Sequence, residues 1–134
     1  MKRIILFMLL FTISIMAQTT YTHTLMDSTN SYVGTTYKYF SIEGWKYATI
    51  STNFDDSTSM FIYGSIEDTP SSFVDETNGD WGSLNTAVLG ADSVIGTNAL
   101  YHITDALFPL KWVLVKYNKW GTINSQVSKY MKGK

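Results

Sequence analysis

The sequence contains no cysteine, and Arg3 is the only arginine among its 134 residues. Without cysteine the fold cannot be held by disulfides, and neither thiol catalysis nor a metal site with cysteine ligands is available. The bidentate guanidinium contact that commonly recognises phosphate groups and base edges is missing from nearly the whole chain. Stability must therefore come from a hydrophobic core, helped at most by oligomerisation or a bound ion.

The chain also lacks an apolar run long enough for a permanent membrane span. Its longest run, residues 4–16, is about 13 residues, whereas a spanning helix needs roughly 20. Lys2 and Arg3 precede this run and the small residue Ala17 follows it, which is the pattern of a secretory signal peptide. We therefore expect a signal peptide at residues 1–17 and a single exported domain at residues 18–134, located in the periplasm, outside the cell or on its surface. An uncleaved N-terminal anchor is the alternative.

Charge is scarce and nearly balanced, with ten basic and eleven acidic residues and a formal net charge of −1. Loss of Lys2 and Arg3 with a signal peptide would leave eight lysines and a charge of −3. A nucleic-acid-binding domain usually has a strongly basic balance, so a nucleic-acid partner is not expected. Acids concentrate in residues 55–80 and lysines in residues 111–134. This layout predicts separate acidic and basic surfaces, which would favour self-association or a protein partner. The alternative is two independently solvated surfaces.

The sequence does contain many short segments in which apolar and polar residues alternate with a period of two. They are rich in β-branched and aromatic residues and are separated by turn formers, which is typical of β-strands. The segments are residues 20–26, 37–42, 46–52, 59–65, 99–104, 111–117 and 123–131, with 83–89 as a possible eighth. Seven or eight strands at this spacing predict one antiparallel β-sandwich of the jelly-roll type.

The segment 111–117, KWVLVKY, is largely apolar on both of its alternate faces. That pattern indicates a central strand packed between layers. We expect residues 108–134 to form the last hairpin of the sandwich, with its lysines solvated and Lys119 in the turn. The alternative is a cationic aromatic binding face, although Lys111 and Lys116 fall on opposite sides of an extended strand.

Aromatic residues are abundant, with four Trp and nine Tyr. Rings with a polar edge suit both sugar stacking and protein interfaces. Three tryptophans fall in predicted loops beside glycine and are the candidate ligand-binding residues: Trp45, Trp81 and Trp120. The alternative for each is a ring that covers one end of the sandwich.

One loop contains the hard oxygen ligands that Ca²⁺ prefers. In the segment DETNGD, Asp75, Asn78 and Asp80 surround a bend at Gly79 and are the candidate calcium ligands. Hydrogen bonding within an ordinary Asx turn is the alternative. No other cofactor is indicated.

The sequence contains no motif that indicates catalysis. It has no G-x-S-x-G nucleophile elbow, phosphate-binding loop or H-E-x-x-H segment. His23 and His102 are far apart in sequence, both in predicted strands, and are expected to be buried or half-buried structural residues. We therefore expect that the protein is not an enzyme.

Three segments resemble the strand series of small β-sandwich proteins that tailed phages encode as accessory virion components: WKYATIS, FIYGSIED and PLKWVLVKYNKWGTINSQVSKYM. In such proteins a strand ending in Gly-Ser precedes an acidic loop, and the last hairpin turns at Gly-Thr. Similar strands recur in galactose-binding-like exported modules. The resemblance spans residues 45–131 and brings no catalytic residues. A signal peptide departs from it, because virion proteins assemble in the cytoplasm.

These features predict an exported, non-enzymatic β-sandwich that acts in binding or structural assembly on a cell or particle surface. Two alternatives remain open. One is a secreted carbohydrate-binding module with a glycan ligand. The other is a phage virion accessory protein of the decoration or fibre type.

Overall fold

The structure is a computed structural model that describes residues 20–26, 34–54, 58–74, 79–96, 98–104, 109–120 and 127–133. The predicted signal peptide at residues 1–17 lies outside these ranges, so its presence and cleavage stay predictions. Within the described ranges, no helix is long and apolar enough to cross a membrane.

Nine strands form within the described residues, and seven of them are six to eight residues long. Each long strand overlaps one of the seven predicted segments. The strands are β1 (Thr20–Met26), β2 (Gly34–Ser41), β3 (Tyr47–Asn53), β4 (Thr58–Ser65), β5 (Gly82–Ser83), β6 (Val94–Ile95), β7 (Asn98–Ile103), β8 (Trp112–Lys119) and β9 (Val127–Gly133). The predicted all-β class is confirmed.

The strands form two antiparallel sheets. The four-stranded sheet has the order β1-β9-β3-β7, and the five-stranded sheet has the order β2-β8-β4, with β5 and β6 both paired to the far edge of β4. Successive long strands therefore alternate between the two sheets, and the connections between them cross from one sheet to the other. This interleaving is a jelly-roll arrangement of a β-sandwich.

The segment 83–89, considered as an eighth strand, is mostly helical. A π-helical turn spans Asn85–Leu89 and separates the two-residue strands β5 and β6. The Ile62 N–H donates to Asn85 Oδ1 at 2.6 Å, and the Leu84 N–H donates to the Ile62 carbonyl at 2.9 Å. The Asn85 amide and the Leu84 N–H thus provide hydrogen-bond partners for both backbone groups of Ile62 at the edge of β4. A continuous neighbouring strand is therefore not needed at this point.

The prediction for β8 is confirmed in part. It lies between β2 and β4 as a central strand, but β9 pairs with β1 and β3 in the other sheet. The predicted last hairpin is therefore wrong, because the chain crosses between the sheets after β8. Lys119, expected in the turn, is the last residue of β8 and only 6% exposed.

The core fills the space between the sheets. Phe54 and Tyr117 meet edge to face within it, with ring centroids 5.5 Å apart and ring planes at 84°. Its buried members come from both sheets and include Phe40, Ile42, Ala48, Ile50, Met60, Ile62, Ile103, Val113, Val115 and Tyr117. Alternate residues of β2, β4 and β8 thus point into the core. The residues between them must point outward, because successive side chains of a strand lie on opposite faces.

Candidate binding face

The outward side chains of the five-stranded sheet form rows across its three long strands. Strand register places Leu114 between Tyr39 and Tyr63, and Lys116 between Tyr37 and Phe61. Their sequence neighbours, such as Val115 and Ile62, lie in the core. Together with Trp112 these residues form what we call the aromatic face: Tyr37, Tyr39, Phe61, Tyr63, Trp112, Leu114 and Lys116.

Two ring contacts link neighbouring strands on the aromatic face. The rings of Tyr39 and Trp112 have centroids 5.8 Å apart and are tilted by 58°. The ammonium of Lys116 lies 5.2 Å from the centroid of the Phe61 ring, within the range of a cation–π interaction. The first contact joins β2 to β8 and the second joins β8 to β4, so regular strands position these side chains.

The aromatic face is partly accessible. Tyr39 is 47% exposed, and the other rings of the face are half-buried. Leu114 is fully buried, although it lies outside the core between the sheets. The face therefore presents large, partly exposed rings around the buried side chain of Leu114. This composition is more typical of a surface that contacts a partner than of an ordinary solvated surface.

The outer face of the four-stranded sheet differs in chemistry. Most of its described outward side chains are polar. The apolar ones are Leu100, which is 62% exposed, and Tyr47, whose ring occupies the space that a side chain at position 133 would fill. The polar side chains that register places on this face are Thr22, Thr24, Thr49, Ser51, Asn53, Asn98 and His102. Of the two outer faces, as far as the structure describes them, the five-stranded sheet has the aromatic one.

The two histidines are not where they were expected. His23 and His102 are both exposed, so their prediction as buried or half-buried residues is wrong. His102 Nδ1 lies 3.1 Å from Thr49 Oγ1 across the β3–β7 pair. Its ring is thus part of the polar outer face.

The three candidate tryptophans lie in three different connections, and none is among the residues that define the aromatic face. Trp81 is 8% exposed and its indole N–H donates to the Ser71 carbonyl at 2.9 Å, so the ring offers almost no surface for stacking. Trp45 is half-buried in the β2–β3 connection. Trp120, directly after β8, is 58% exposed. An exposed loop ring is therefore found at Trp120, and ligand binding by any of the three stays a prediction.

The candidate calcium ligands are described only in part, because Asp75 and Asn78 lie outside the described residues. Asp80 Oδ2 accepts a 2.9 Å hydrogen bond from the Ser71 N–H. Asp80 and Trp81 thus both bind the backbone of Ser71 and hold the two ends of this loop together. Among the described residues, no group of three His, Asp or Glu side chains is placed to hold a metal ion. Calcium binding stays a prediction.

The acidic and basic segments meet at one end of the five-stranded sheet. The backbone of Lys111 bridges the ends of β4 and β2, donating to the Ser65 carbonyl and accepting from the Ile42 N–H, both at 2.8 Å. Its ammonium forms a hydrogen-bonded ion pair with Asp68. This bond lowers the pKa of Asp68 and raises the pKa of Lys111. The predicted separation of acidic and basic surfaces is therefore not maintained at this point.

The aromatic face was not identified from the sequence, which directed attention to tryptophans beside glycine. The available signal was that the segments 37–42, 59–65 and 111–117 each have large side chains on both alternate faces. Only the strand register shows that their outward residues form common rows.

The sheet order and its interleaved connections define the protein as a jelly-roll β-sandwich. No protein-family model and no curated protein matches the sequence. Among solved structures, the chain is similar to the crystal structure of SPBc2 prophage-derived protein YomS, with a TM-score of 0.56 over 90% of this chain and 97% of that chain. The sequence identity is 14%, so the likeness shows a shared fold alone.

Proposed function

We propose that this protein is a phage-related, non-enzymatic β-sandwich that works by binding or assembly on a cell or particle surface, through its aromatic face. The observation that carries the proposal is the face itself, where Tyr39 is 47% exposed beside Trp112 on regular strands. Tyr, Trp and Phe are enriched at the cores of protein interfaces and among the residues that contribute most to binding. Rings fixed by a sheet also lose little conformational entropy when a partner binds.

The phage-related part of the proposal is supported by the fold shared with a prophage-derived protein. It agrees with the resemblance of three strand segments to accessory virion proteins. Jelly rolls serve both in viral capsids and in lectins, so the fold is compatible with assembly and with ligand binding without deciding between them. Export by the predicted signal peptide belongs to the same proposal and would place the face outside the cytoplasm.

The proposal is tested by locating the protein and varying the aromatic face. Particles and cell envelopes from the strain that encodes the chain are purified on gradients and analysed by mass spectrometry. We expect the protein in one of these fractions. Tyr39→Ser should reduce its recovery there by about tenfold, which corresponds to about 1.4 kcal/mol of contact energy. Ser51→Ala, on the outer face of the four-stranded sheet, is the matched control and should have no effect.

Two results would contradict the proposal. One is absence of the protein from both fractions when it is expressed at normal levels. The other is equal recovery of the Tyr39→Ser and Ser51→Ala variants, provided that both retain the thermal stability of the unsubstituted protein.

A further inference from the structure

The side chains that define the aromatic face include one charge, the cation of Lys116, whereas Glu43, Glu67 and Asp68 lie near Lys111 beyond the Trp112 end. Strands β2, β4 and β8 contain no acidic residue, and Lys116 is the lysine whose place in the register lies on the outer side, in the row between Tyr37 and Phe61. The ammonium lies against the Phe61 ring of the neighbouring strand β4. Because this cation is half-buried among rings, an anionic group brought to it would interact more strongly than at a fully solvated lysine.

The dimensions of the face favour an elongated ligand over a second protein. Three strands about 4.8 Å apart and eight residues long, at about 3.3 Å per residue, give a surface of roughly 15 by 26 Å, or roughly 400 Å². A stable protein–protein interface covers about 800 Å² on each partner. The flat outline of these three strands is smaller than that surface, so a protein partner would also have to contact the surrounding loops, whereas a narrow, elongated ligand fits the outline itself.

The side chains of the face match the surface of a sugar chain. Pyranose rings have apolar C–H faces, which pack against the electron-rich faces of aromatic rings such as the Tyr39–Trp112 pair. Sugar hydroxyl groups can exchange hydrogen bonds with the phenolic groups of Tyr37 and Tyr39. Polar side chains stand at both ends of the rows, with Ser41 beside Trp112 and the hydrogen-bonded pair Thr35–Asn118 at the other end.

We infer that the aromatic face binds an acidic glycan, with sugar rings packed on Tyr39 and Trp112 and a carboxylate of the glycan paired with Lys116. Trp112 and Lys116 are four residues apart on β8, about 13 Å, so the ligand is an oligosaccharide and not a single sugar. A nucleic acid would need several cations, whereas the outer side of these strands supplies Lys116 alone. The inference rests on the proposed function and names the partner of the same face.

The test measures binding of the purified protein to acidic and neutral polysaccharides. Polygalacturonate, alginate and hyaluronan are the acidic probes, and galactan and dextran are the neutral ones, each titrated calorimetrically at low and high salt. We expect binding to at least one acidic probe that weakens as salt rises. Lys116→Gln should weaken it by about tenfold, as expected for loss of a charge-assisted contact. Lys46→Gln, at an exposed lysine outside the face, is the matched control and should leave binding unchanged.

Aromatic variants form the second arm of the test. Tyr39→Ser should weaken binding by a similar factor, whereas Leu100→Ser should not, because Leu100 is 62% exposed but lies on the outer face of the four-stranded sheet. Thermal melting of each variant guards against misfolding. If Tyr39→Ser melts early, Tyr39→Phe provides a milder change that removes only the hydroxyl group.

The outcomes separate the inference from the proposed function. Equal binding of acidic and neutral probes, or equal affinity of the Lys116→Gln and Lys46→Gln variants, overturns the acidic glycan. If no polysaccharide binds while recovery on particles or envelopes still depends on Tyr39, the inference fails and the proposed function stands. A dimer that dissociates in the Tyr39→Ser variant, measured by analytical ultracentrifugation, would also overturn the inference and assign the face to a second copy.

Discussion

Replacement of Asn85 by Ala should destabilise the protein more than any ordinary change of a polar loop residue. The Asn85 side chain is 8% exposed, and its Oδ1 atom accepts the hydrogen bond of the Ile62 N–H at 2.6 Å. Ile62 is fully buried in the middle of β4. Removal of the acceptor leaves this N–H without its bond in a place where water has little access.

An unsatisfied buried donor costs about 1–3 kcal/mol. For a domain of this size that corresponds to a fall in the melting temperature of roughly 4–15 °C. Asn85→Leu provides a second version, because it keeps most of the side-chain volume and so separates the lost hydrogen bond from an added cavity. Asn53→Ala is the matched control at an exposed asparagine of β3, and it should stay within about 0.5 kcal/mol of the unsubstituted protein.

Calorimetric melting and urea denaturation of the four proteins provide the measurement. If Asn85→Ala and Asn53→Ala differ by less than about 0.5 kcal/mol, the side-chain amide does not replace a strand at the edge of β4. If Asn85→Leu is as stable as the unsubstituted protein while Asn85→Ala is not, the loss reflects packing and not the hydrogen bond.

Three further predictions use different observations. Leu114→Ala should cost about 2–5 kcal/mol in urea denaturation, because a fully buried side chain is removed; a loss below about 0.5 kcal/mol would place Leu114 on an accessible surface. N-terminal sequencing of exported protein should begin near Gln18, and intact Met1 recovered from the cytoplasm would contradict the signal peptide. Asp68→Asn should change stability little because the pair is exposed. Lys111 lowers the pKa of Asp68 in the folded protein, so any stabilisation by this ion pair is present above pH 3.8, the ordinary pKa of the carboxyl group, and is lost as the pH falls below it. A stability difference between Asp68→Asn and the unsubstituted protein that grows on acidification would refute this.

Local patterns were sufficient to locate the strands of this fold. The period of two marked all seven long strands, and the apolar residues on both faces of KWVLVKY indicated that β8 is central. Alternation does not, however, encode which strand is the partner. The segments that became β8 and β9 looked like a hairpin because only a few residues separate them in the sequence, whereas their strand partners place them in opposite sheets.

The candidate site was harder to predict for the same reason. Trp81 lies in a loop beside glycine, which suggested exposure, yet its N–H finds the Ser71 carbonyl and the ring is buried. Tyr39 and Trp112 are 73 positions apart, and only the pairing of β2 with β8 brings their rings together. Surfaces assembled from several strands are invisible until the register is known.

The place of β9 between β1 and β3 has a consequence for how the protein is made. A ribosome releases β1 first and β9 after every other strand, so β1 has no neighbour in its sheet for almost the whole of synthesis. Non-local pairing of this kind slows folding and leaves strand edges open meanwhile. Nascent chains arrested before β9 should therefore be digested readily by protease, and the native state should form only when β9 is available for pairing. The four-stranded sheet therefore cannot be completed while β9 is still inside the ribosome, because β9 is the strand that joins β1 to β3.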